Sequence, residues 1–121
     1  MNVSRPAKRA TNNAAELESV IISVRQGEQE AILDDLLVLS DSEYTVNCVN
    51  RGIREWKSND WTLRSGARAK NVDLLKELDH LRRLNKNWRL RYVPAHQDVF
   101  GNEMADYLAN EGAKRFIVAH W

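Results

Sequence analysis

Three carboxylates and one histidine lie where a fold could gather them around a single ion. Glu16 is just inside a predicted helix, Asp41 follows a short apolar run, and Asp106 is one turn inside another predicted helix. His96 is on the loop that precedes that last helix. Carboxylates brought together from separate elements repel one another and normally need a cation between them. The first hypothesis is therefore a metal-dependent phosphodiester chemistry.

Each of these residues also has a purely structural interpretation. Glu16 could complete a capping box with Asn13 as the N-cap, and Asp41 could belong to the cap of the next helix. Asp106 would gain little from the helix dipole in a second turn, so we expect it in a cleft or buried. The histidine could be merely exposed. Only the four residues taken together favour a functional site.

The bulk properties of the chain indicate one domain without a membrane span. The 121 residues are 43% hydrophobic and 29% charged, with a net charge of +1. No apolar run approaches the about 20 residues that a membrane helix needs. The only cysteine, Cys48, excludes an internal disulfide, and we predict a buried thiol in a reducing compartment. Residues 1–10 are basic and lack the apolar stretch of a secretory signal, so we expect an intracellular protein.

The order of the predicted elements indicates an α/β domain, because strands alternate with helices. The apolar run 36–40 suits a strand buried on both faces. The other predicted elements are a helix from the N-cap Asn13 to about Gly27, a helix capped by Ser42, a loop over 57–70, a helix capped by Asn71, a strand over 88–92, a helix capped by Asn102 that buries Ala109, and a docked strand within 116–121.

Three motifs, in this order, resemble those of the ribonuclease H type 1 family. They are Thr-Asn-Asn-Ala-Ala-Glu-Leu at 11–17, Leu-Ser-Asp-Ser-Glu-Tyr at 39–44, and His96 followed by Gly-Asn-Glu-Met-Ala-Asp-Tyr-Leu-Ala at 101–109. The resemblance implies a ribonuclease H-like fold with a truncated mixed sheet flanked by helices. It covers about residues 9–116, so we divide the chain into a basic segment 1–10, a partial domain 11–116 and a tail 117–121.

The resemblance implies two-metal hydrolysis of the RNA strand in an RNA–DNA hybrid. Glu16, Asp41 and Asp106 would be the metal ligands, because Mg²⁺ takes hard oxygen donors, and Mn²⁺ is a second candidate. The catalytic set would be these three carboxylates with His96, which would carry a proton or assist product release. The partner implied is an RNA–DNA hybrid and not a membrane.

The same resemblance implies a binding surface for the hybrid. One group of residues would hold a phosphate of the DNA strand, two asparagines would face the minor groove, and the stretch 56–70, here called the basic handle, would lie over the DNA backbone. The alternative for the handle is a solvated loop whose tryptophans pack on the core. The nucleic-acid-binding residues expected from the resemblance are Arg9, Thr11, Asn12, Asn13, Trp56, Trp61, Arg64, Arg68, Asn71 and Asn102.

The sequence lacks one carboxylate that the resemblance implies. The family carries a further aspartate in an Asp-Gly-Ser motif on its first strand, and here no aspartate is followed by glycine. Asp34 and Asp35 lie at the far end of the predicted strand from Asp41, some 20 Å away at about 3.3 Å per residue. We therefore expect the chain to be incomplete and, by itself, to cleave weakly or not at all.

The same difference suggests two other functions. Without its first strand, the run 36–40 would present an unpaired edge that invites association. Because one catalytic aspartate is missing, the chain could be a non-catalytic module that binds hybrids through the basic handle. It could also be an association module that uses the exposed edge to pair with a partner or with its own copy.

Overall fold

The computed structural model of the chain describes residues 12–93, 106, 109–110 and 112–119. Its elements confirm the predicted α/β class. They are α1 (Asn12–Gln29), a 3₁₀ turn (Leu33–Asp35), β1 (Leu36–Ser40), α2 (Glu43–Asn47), a π-helical segment (Cys48–Gly52), α3 (Ile53–Ser58), α4 (Val72–Leu84), β2 (Arg89–Tyr92) and β3 (Arg115–Ala119). Residues 106 and 109–110 are also helical. Among the described residues, no helix has the length and apolar character to cross a membrane.

The described strands form one parallel sheet in the order β2-β1-β3. Every residue of the central strand β1 is buried, as its continuous apolar run predicted. Leu36 and Val38 belong to the main core with residues of α1 and α4, whereas Leu37 and Leu39 form a smaller core with Val93. Burial on both faces thus fixes β1, and the strand carries Asp41 at its carboxyl end.

The unpaired edge predicted for the run 36–40 is wrong. Strand β3 pairs with β1 along its whole length, from Leu36 opposite Arg115 to Ser40 opposite Ala119. The docked strand predicted near the end of the sequence is this β3, and the boundary that we placed at 116/117 falls inside it. An apolar edge beside a buried strand is best covered by another apolar strand, and the residues of β3 after Arg115 are all apolar.

The limits of helix α1 differ from the prediction at both ends. The helix begins at Asn12, so Asn13 lies inside its first turn and is not the N-cap. It also continues past Gly27 to Gln29. A Cβ at Gly27 would lie 2.6 Å from Cδ2 of Leu36 and 3.1 Å from Cδ2 of Leu33, so this glycine permits the close approach of α1 to β1.

Residues 43–58 form the predicted second helix, with a π-helical segment in the middle. The N–H of Ile53 donates to the carbonyl of Cys48, five residues earlier. Ser42 is the N-cap as predicted, and its Oγ accepts from the N–H of Thr45 at 3.1 Å. Burial raises the pKa of the Cys48 thiol, so the prediction of a buried core cysteine is confirmed.

The last helix is described at only three positions. Gly112 has φ +69° and its N–H donates to the carbonyl of Ala109 at 3.2 Å, as expected where a glycine ends a helix. Ala109 is exposed, so our placement of this residue on the buried face is wrong.

Candidate active site

Asp41 lies in a bend directly after β1 and is exposed to solvent. The cap interpretation is wrong for this residue, because Ser42 supplies the cap and its own N–H donates to Oγ of Ser40 at 3.1 Å. Among the described residues, the Asp41 carboxylate has neither a hydrogen-bond partner nor an ion pair. The carboxyl ends of parallel strands are where open α/β sheets bind ligands. The geometry therefore leaves Asp41 available to a ligand.

Glu16 is the fifth residue of α1 and is half-buried between the buried residues Ala15 and Leu17. The capping box is wrong, because Asn13 is helical and the first turn contains no acidic residue. Oε1 of Glu16 is shielded from solvent. A shielded carboxylate oxygen this far inside a helix has no helix-capping role. Its role as a metal ligand stays a prediction.

Asp106 is helical and exposed, so a buried position for it is wrong, and a position in a cleft stays a prediction. The rotation of a helix about its own axis depends on the elements that pack against it. The sequence pattern alone therefore overestimated the burial of this residue. Several predicted site residues lie outside the described part of the chain, and their roles stay predictions: Arg9, Thr11, His96 and Asn102. Asn12 is the first residue of α1, and Asn13 is exposed one position later.

The predicted metal ligands have the donor chemistry that suits a divalent cation. Glu16, Asp41 and Asp106 all offer carboxylate oxygens, the donors that hard cations prefer. Among the described histidine, cysteine and acidic side chains, however, no three are grouped closely enough to hold an ion. The donor type fits a metal, but the described residues do not by themselves assemble a complete site.

At the opposite end of the sheet, the carboxylate of Asp34 accepts hydrogen bonds from two side chains. Oδ1 of Asp34 accepts from Nδ2 of Asn87 at 3.0 Å and from Nδ2 of Asn85 at 3.2 Å. These hydrogen bonds lower the pKa of Asp34. An open cavity of about 330 Å³ also lies at this end, lined by Glu28, Ala31, Leu33, Asp34, Leu84 and Asn85. Asp34 is thus engaged in the structure and does not replace the missing aspartate.

The two tryptophans of the basic handle pack against the core. Trp61 is buried, and its backbone N–H donates to the backbone carbonyl of Trp56 at 2.6 Å. Trp56 is half-buried and packs on the main core, where its ring covers Gly52; a Cβ there would lie 2.6 Å from Cη2 of Trp56. The structural alternative for these tryptophans is therefore confirmed. It leaves a nucleic-acid role open, because a packed tryptophan can still flank a groove.

The cations of the basic handle divide into two groups. Lys57 pairs with Asp79 at 3.1 Å and is tied to α4. Arg64, Arg68 and Lys70 are exposed, and Arg64 makes a solvent-exposed contact with Glu55 at 3.3 Å. Exposed ion pairs of this kind are weak and exchange readily for a phosphate. Arg64, Arg68 and Lys70 are therefore the exposed handle cations, and the two arginines among them can bind a phosphate through paired N–H donors.

Asn71 stands at the N-cap position of α4, as predicted, but its side chain does not cap the helix. Its backbone is left-handed, with φ +57°, a conformation that asparagine tolerates. The side chain of Tyr44 lies near it, and burial, followed by the neighbouring Cys48, raises the pKa of that tyrosine. Sequence reasoning missed Tyr44, because its contact with Asn71 joins two separate helices.

Comparison with known proteins identifies the family. The sequence model of the RNase H family matches residues 1–114. The chain belongs to the RNase H family. Proteins of this family generally depend on divalent metal ions. The match ends before β3, so the strand that covers the edge of β1 lies outside the matched residues.

Several curated relatives are similar over most of the chain. Ribonuclease H of Tropheryma whipplei (strain Twist) is 36% identical over 110 residues, which are 88% of this chain and 65% of that protein. Ribonuclease H of Schizosaccharomyces pombe is 34% identical over 114 residues, which are 93% of this chain and 41% of that protein. Ribonuclease H of Francisella tularensis subsp. novicida is 34% identical over 91% of this chain and 70% of that protein. The chain thus spans from 41% to 70% of the length of these relatives.

Solved structures support the fold. A foamy viral protease-reverse transcriptase in complex with an RNA/DNA hybrid matches with a TM-score of 0.60 and 23% identity, over 80% of this chain and 13% of that one. The same kind of protein in complex with dsDNA matches with a TM-score of 0.58. The similarity confirms the ribonuclease H-like fold, a small sheet flanked by helices, that the motifs implied.

Proposed function

We propose that this chain binds RNA–DNA hybrids and belongs to an RNase H-type endonuclease that hydrolyses the RNA strand. The observation that carries the proposal is the exposed carboxylate of Asp41 at the carboxyl end of β1, which has no partner among the described residues. The curated relatives named ribonuclease H support the substrate class.

Binding would rest on the exposed cations of the basic handle. Arg64 and Arg68 extend into solvent from a loop whose two tryptophans are anchored in the core. An anchored loop loses little conformational entropy when it meets a duplex. Asn71, at the N-cap position of α4, would contribute to the pocket for a DNA phosphate together with Arg9 and Thr11.

Hydrolysis would need a divalent ion, for which we propose Mg²⁺, with Mn²⁺ as the second candidate. Glu16, Asp41 and Asp106 would hold it through carboxylate oxygens, and the bound ion would supply activation of water and stabilisation of the leaving oxygen. His96 would carry a proton or assist product release. The sequence has no Asp-Gly-Ser motif, so we expect weak or no cleavage by this chain alone.

The proposal is tested by incubating a labelled RNA–DNA hybrid with the chain in Mg²⁺ or Mn²⁺, beside matched RNA and DNA duplexes. We expect the hybrid to be bound in preference to both duplexes and any cleavage to fall on the RNA strand. Asp41→Asn should remove that cleavage without weakening binding. Equal binding of all three duplexes would contradict the proposed substrate class.

The contribution of the handle is tested by the salt dependence of binding. A variant that combines Arg64→Gln with Arg68→Gln should reduce the slope of log K against log salt by about 0.9 for each phosphate that is no longer neutralised. Arg25→Gln is the matched control, because Arg25 is an exposed arginine of α1, outside the handle, that is paired with Glu77. An unchanged slope in the double variant would remove the handle from the binding surface.

The second candidate function is a non-catalytic hybrid-binding module. It is favoured by one observation, that no three metal-binding side chains among the described residues are grouped around a common point. This function predicts hybrid binding that persists in a chelator and no cleavage in either metal. The association module has lost its basis, because the edge of β1 on which it depended is paired with β3.

A further inference from the structure

The two outer strands of the described sheet differ in how their edges are protected. On β2, Nδ2 of Asn50 donates to the backbone carbonyl of Leu90 at 3.0 Å, so the π-helical segment lies against this strand. Two of the four residues of β2 are arginines, Arg89 and Arg91. Charged side chains and a covering element are common ways to prevent an edge strand from pairing with another chain. The edge of β2 is therefore protected.

Strand β3 has neither kind of protection within the described part of the chain. There, β1 is its only strand partner, and no side chain bonds to its backbone. Residues 116–119 include no charged residue and no proline. An edge strand directs part of its backbone N–H and C=O groups away from the sheet. Those groups of β3 remain available to a further strand.

The side chains of β3 are also less covered than those of β1. Ile117 and Ala119 pack on the main core, so Phe116 and Val118 lie on the opposite face of the sheet. On that face Phe116 is 38% exposed, whereas Leu37 beside it in β1 is fully buried. Apolar surface therefore lies next to available backbone groups, a combination that favours the addition of a strand.

We propose that β3 pairs with β3 of a second copy of this chain, antiparallel and centred on Ile117, so that the sheets of two copies become continuous. In this register Phe116 of each copy lies opposite Val118 of the other. Aromatic and β-branched side chains form favourable cross-strand pairs, and the four side chains would cover one another. The interface is closed, because both copies use the same strand about a twofold axis.

The charges at the ends of β3 favour the antiparallel direction. Lys114 and Arg115 are exposed at its amino end and make no ion pair among the described residues. Arg115 of the second copy would lie opposite Ala119, which is level with Ser40, and Lys114 would be level with Asp41. Two strand spacings, or about 10 Å, would separate these two residues. Parallel pairing would instead bring the cations of both copies together.

The proposed dimer goes beyond the proposed function, because its formation needs no nucleic acid. It uses the edge of β3 and leaves the pairing of β1 with β3 intact. A junction of five residues on each side is smaller than a standard protein interface of about 1,600 Å². We therefore expect a dimer that dissociates on dilution.

The dimer is tested by sedimentation velocity over roughly two orders of magnitude in the micromolar range, without nucleic acid. Phe116→Lys should weaken the dimer by about tenfold, because two cross-strand pairs are lost in each dimer. Adding Val118→Glu to Phe116→Lys should restore it, since the introduced amine and carboxylate would lie opposite each other. Leu84→Lys is the matched control, because Leu84 is a 62% exposed leucine of α4 and should not affect the dimer.

Amide hydrogen exchange provides a second measurement at the strand itself. The backbone amides of β3 should exchange more slowly as the concentration of the wild type or of Leu84→Lys rises, but not in Phe116→Lys. Circular dichroism of dilute samples checks that each variant is folded. If Phe116→Lys is not folded, Phe116→Thr takes its place, because threonine retains a high strand propensity, and it should also weaken the dimer.

Four results would overturn the proposed dimer. They are a monomer at every concentration, assembly beyond a dimer, a dimer that Phe116→Lys leaves unchanged, and failure of Val118→Glu to restore it. Each of them leaves the proposed function standing, because hybrid binding is not part of the measurement. Failure of the chain to bind hybrid would, in turn, leave the dimer standing.

Discussion

Strand β1 has an aspartate near each end, and the surroundings of the two carboxylates differ. Before the strand, Asp34 accepts hydrogen bonds from Asn85 and Asn87, the two asparagines that lie between α4 and β2. After the strand, Asp41 is exposed and has no partner among the described residues, although Ser42 beside it makes several hydrogen bonds. The same residue type is thus part of the scaffold at one end and available at the other.

The difference shows how a sheet can separate stability from function along one strand. At the amino end, the acceptor capacity of Asp34 is used to join the start of β1 to the start of β2. At the carboxyl end, Ser42 provides the cap of the next helix, so Asp41 is not needed for folding. A side chain that makes no stabilising contact in the fold is available to bind a ligand.

The largest effect should come from the strand that connects the two ends. Leu39 is fully buried in the smaller core beside Leu37 and Val93. Leu39→Ala should lower the free energy of unfolding by about 2–5 kcal/mol, because it removes buried methyl groups and leaves a cavity. Urea unfolding followed by circular dichroism measures the loss. Leu84→Ala is the control, since Leu84 is 62% exposed and should change stability by less than about 0.5 kcal/mol. Similar losses in both variants would mean that β1 is not the stabilising centre.

The next effect tests the helix cap beside Asp41. Ser42→Ala should cost about 1 kcal/mol of unfolding free energy, because the N–H of Thr45 would lose its acceptor. Ser42→Asp should restore most of the loss, since aspartate is an equally good N-cap. If the alanine variant unfolds at the same urea concentration as the wild type, Asp41 must share the capping role. The contrast between the two ends of β1 would then disappear.

The features that the sequence predicted are those fixed by neighbouring residues. The burial of β1 followed from its apolar run, and the cap at Ser42 followed from a local hydrogen-bond pattern. The position of Asp41 could be predicted for the same reason, since a strand followed at once by a helix leaves little freedom between them. These are properties of a few consecutive residues.

The features that the sequence did not predict depend on distant contacts. The pairing of β3 with β1 was missed because an edge strand is selected by the partner available, and a short apolar strand can pair in several places. The ion pair between Lys57 and Asp79 joins α3 to α4, so the charge of this handle residue is already paired. The exposure of Asp106 depends on how the last helix is turned, which helical spacing does not fix.

A smaller change in stability, with a large change in function, is expected for Asp41→Asn. The carboxylate has no partner to lose within the described structure, so the free energy of unfolding should change by less than about 0.5 kcal/mol. Any metal-dependent cleavage of hybrid should disappear, whereas hybrid binding should persist. Urea unfolding and a cleavage assay on the same preparation measure both quantities. A marked loss of stability would show that Asp41 has a structural role.

The smallest effect should be the pH dependence that Asp34 contributes. Its pKa is lowered in the folded state, first by Asn87 and then by Asn85, so its carboxylate stabilises the fold above the unfolded value of about 3.9. That contribution is lost as the pH falls through the folded pKa. Asp34→Asn should therefore reduce the urea midpoint slightly at neutral pH, and the difference from the wild type should vanish at the acid end of the titration. Asn87→Ala should produce part of the same pH-dependent loss, because it removes one of the two hydrogen bonds that Asp34 accepts, and adding it to Asp34→Asn should cost little more. Additive losses in the double variant would show that the two side chains act independently and that Asp34 is no better anchored than Asp41.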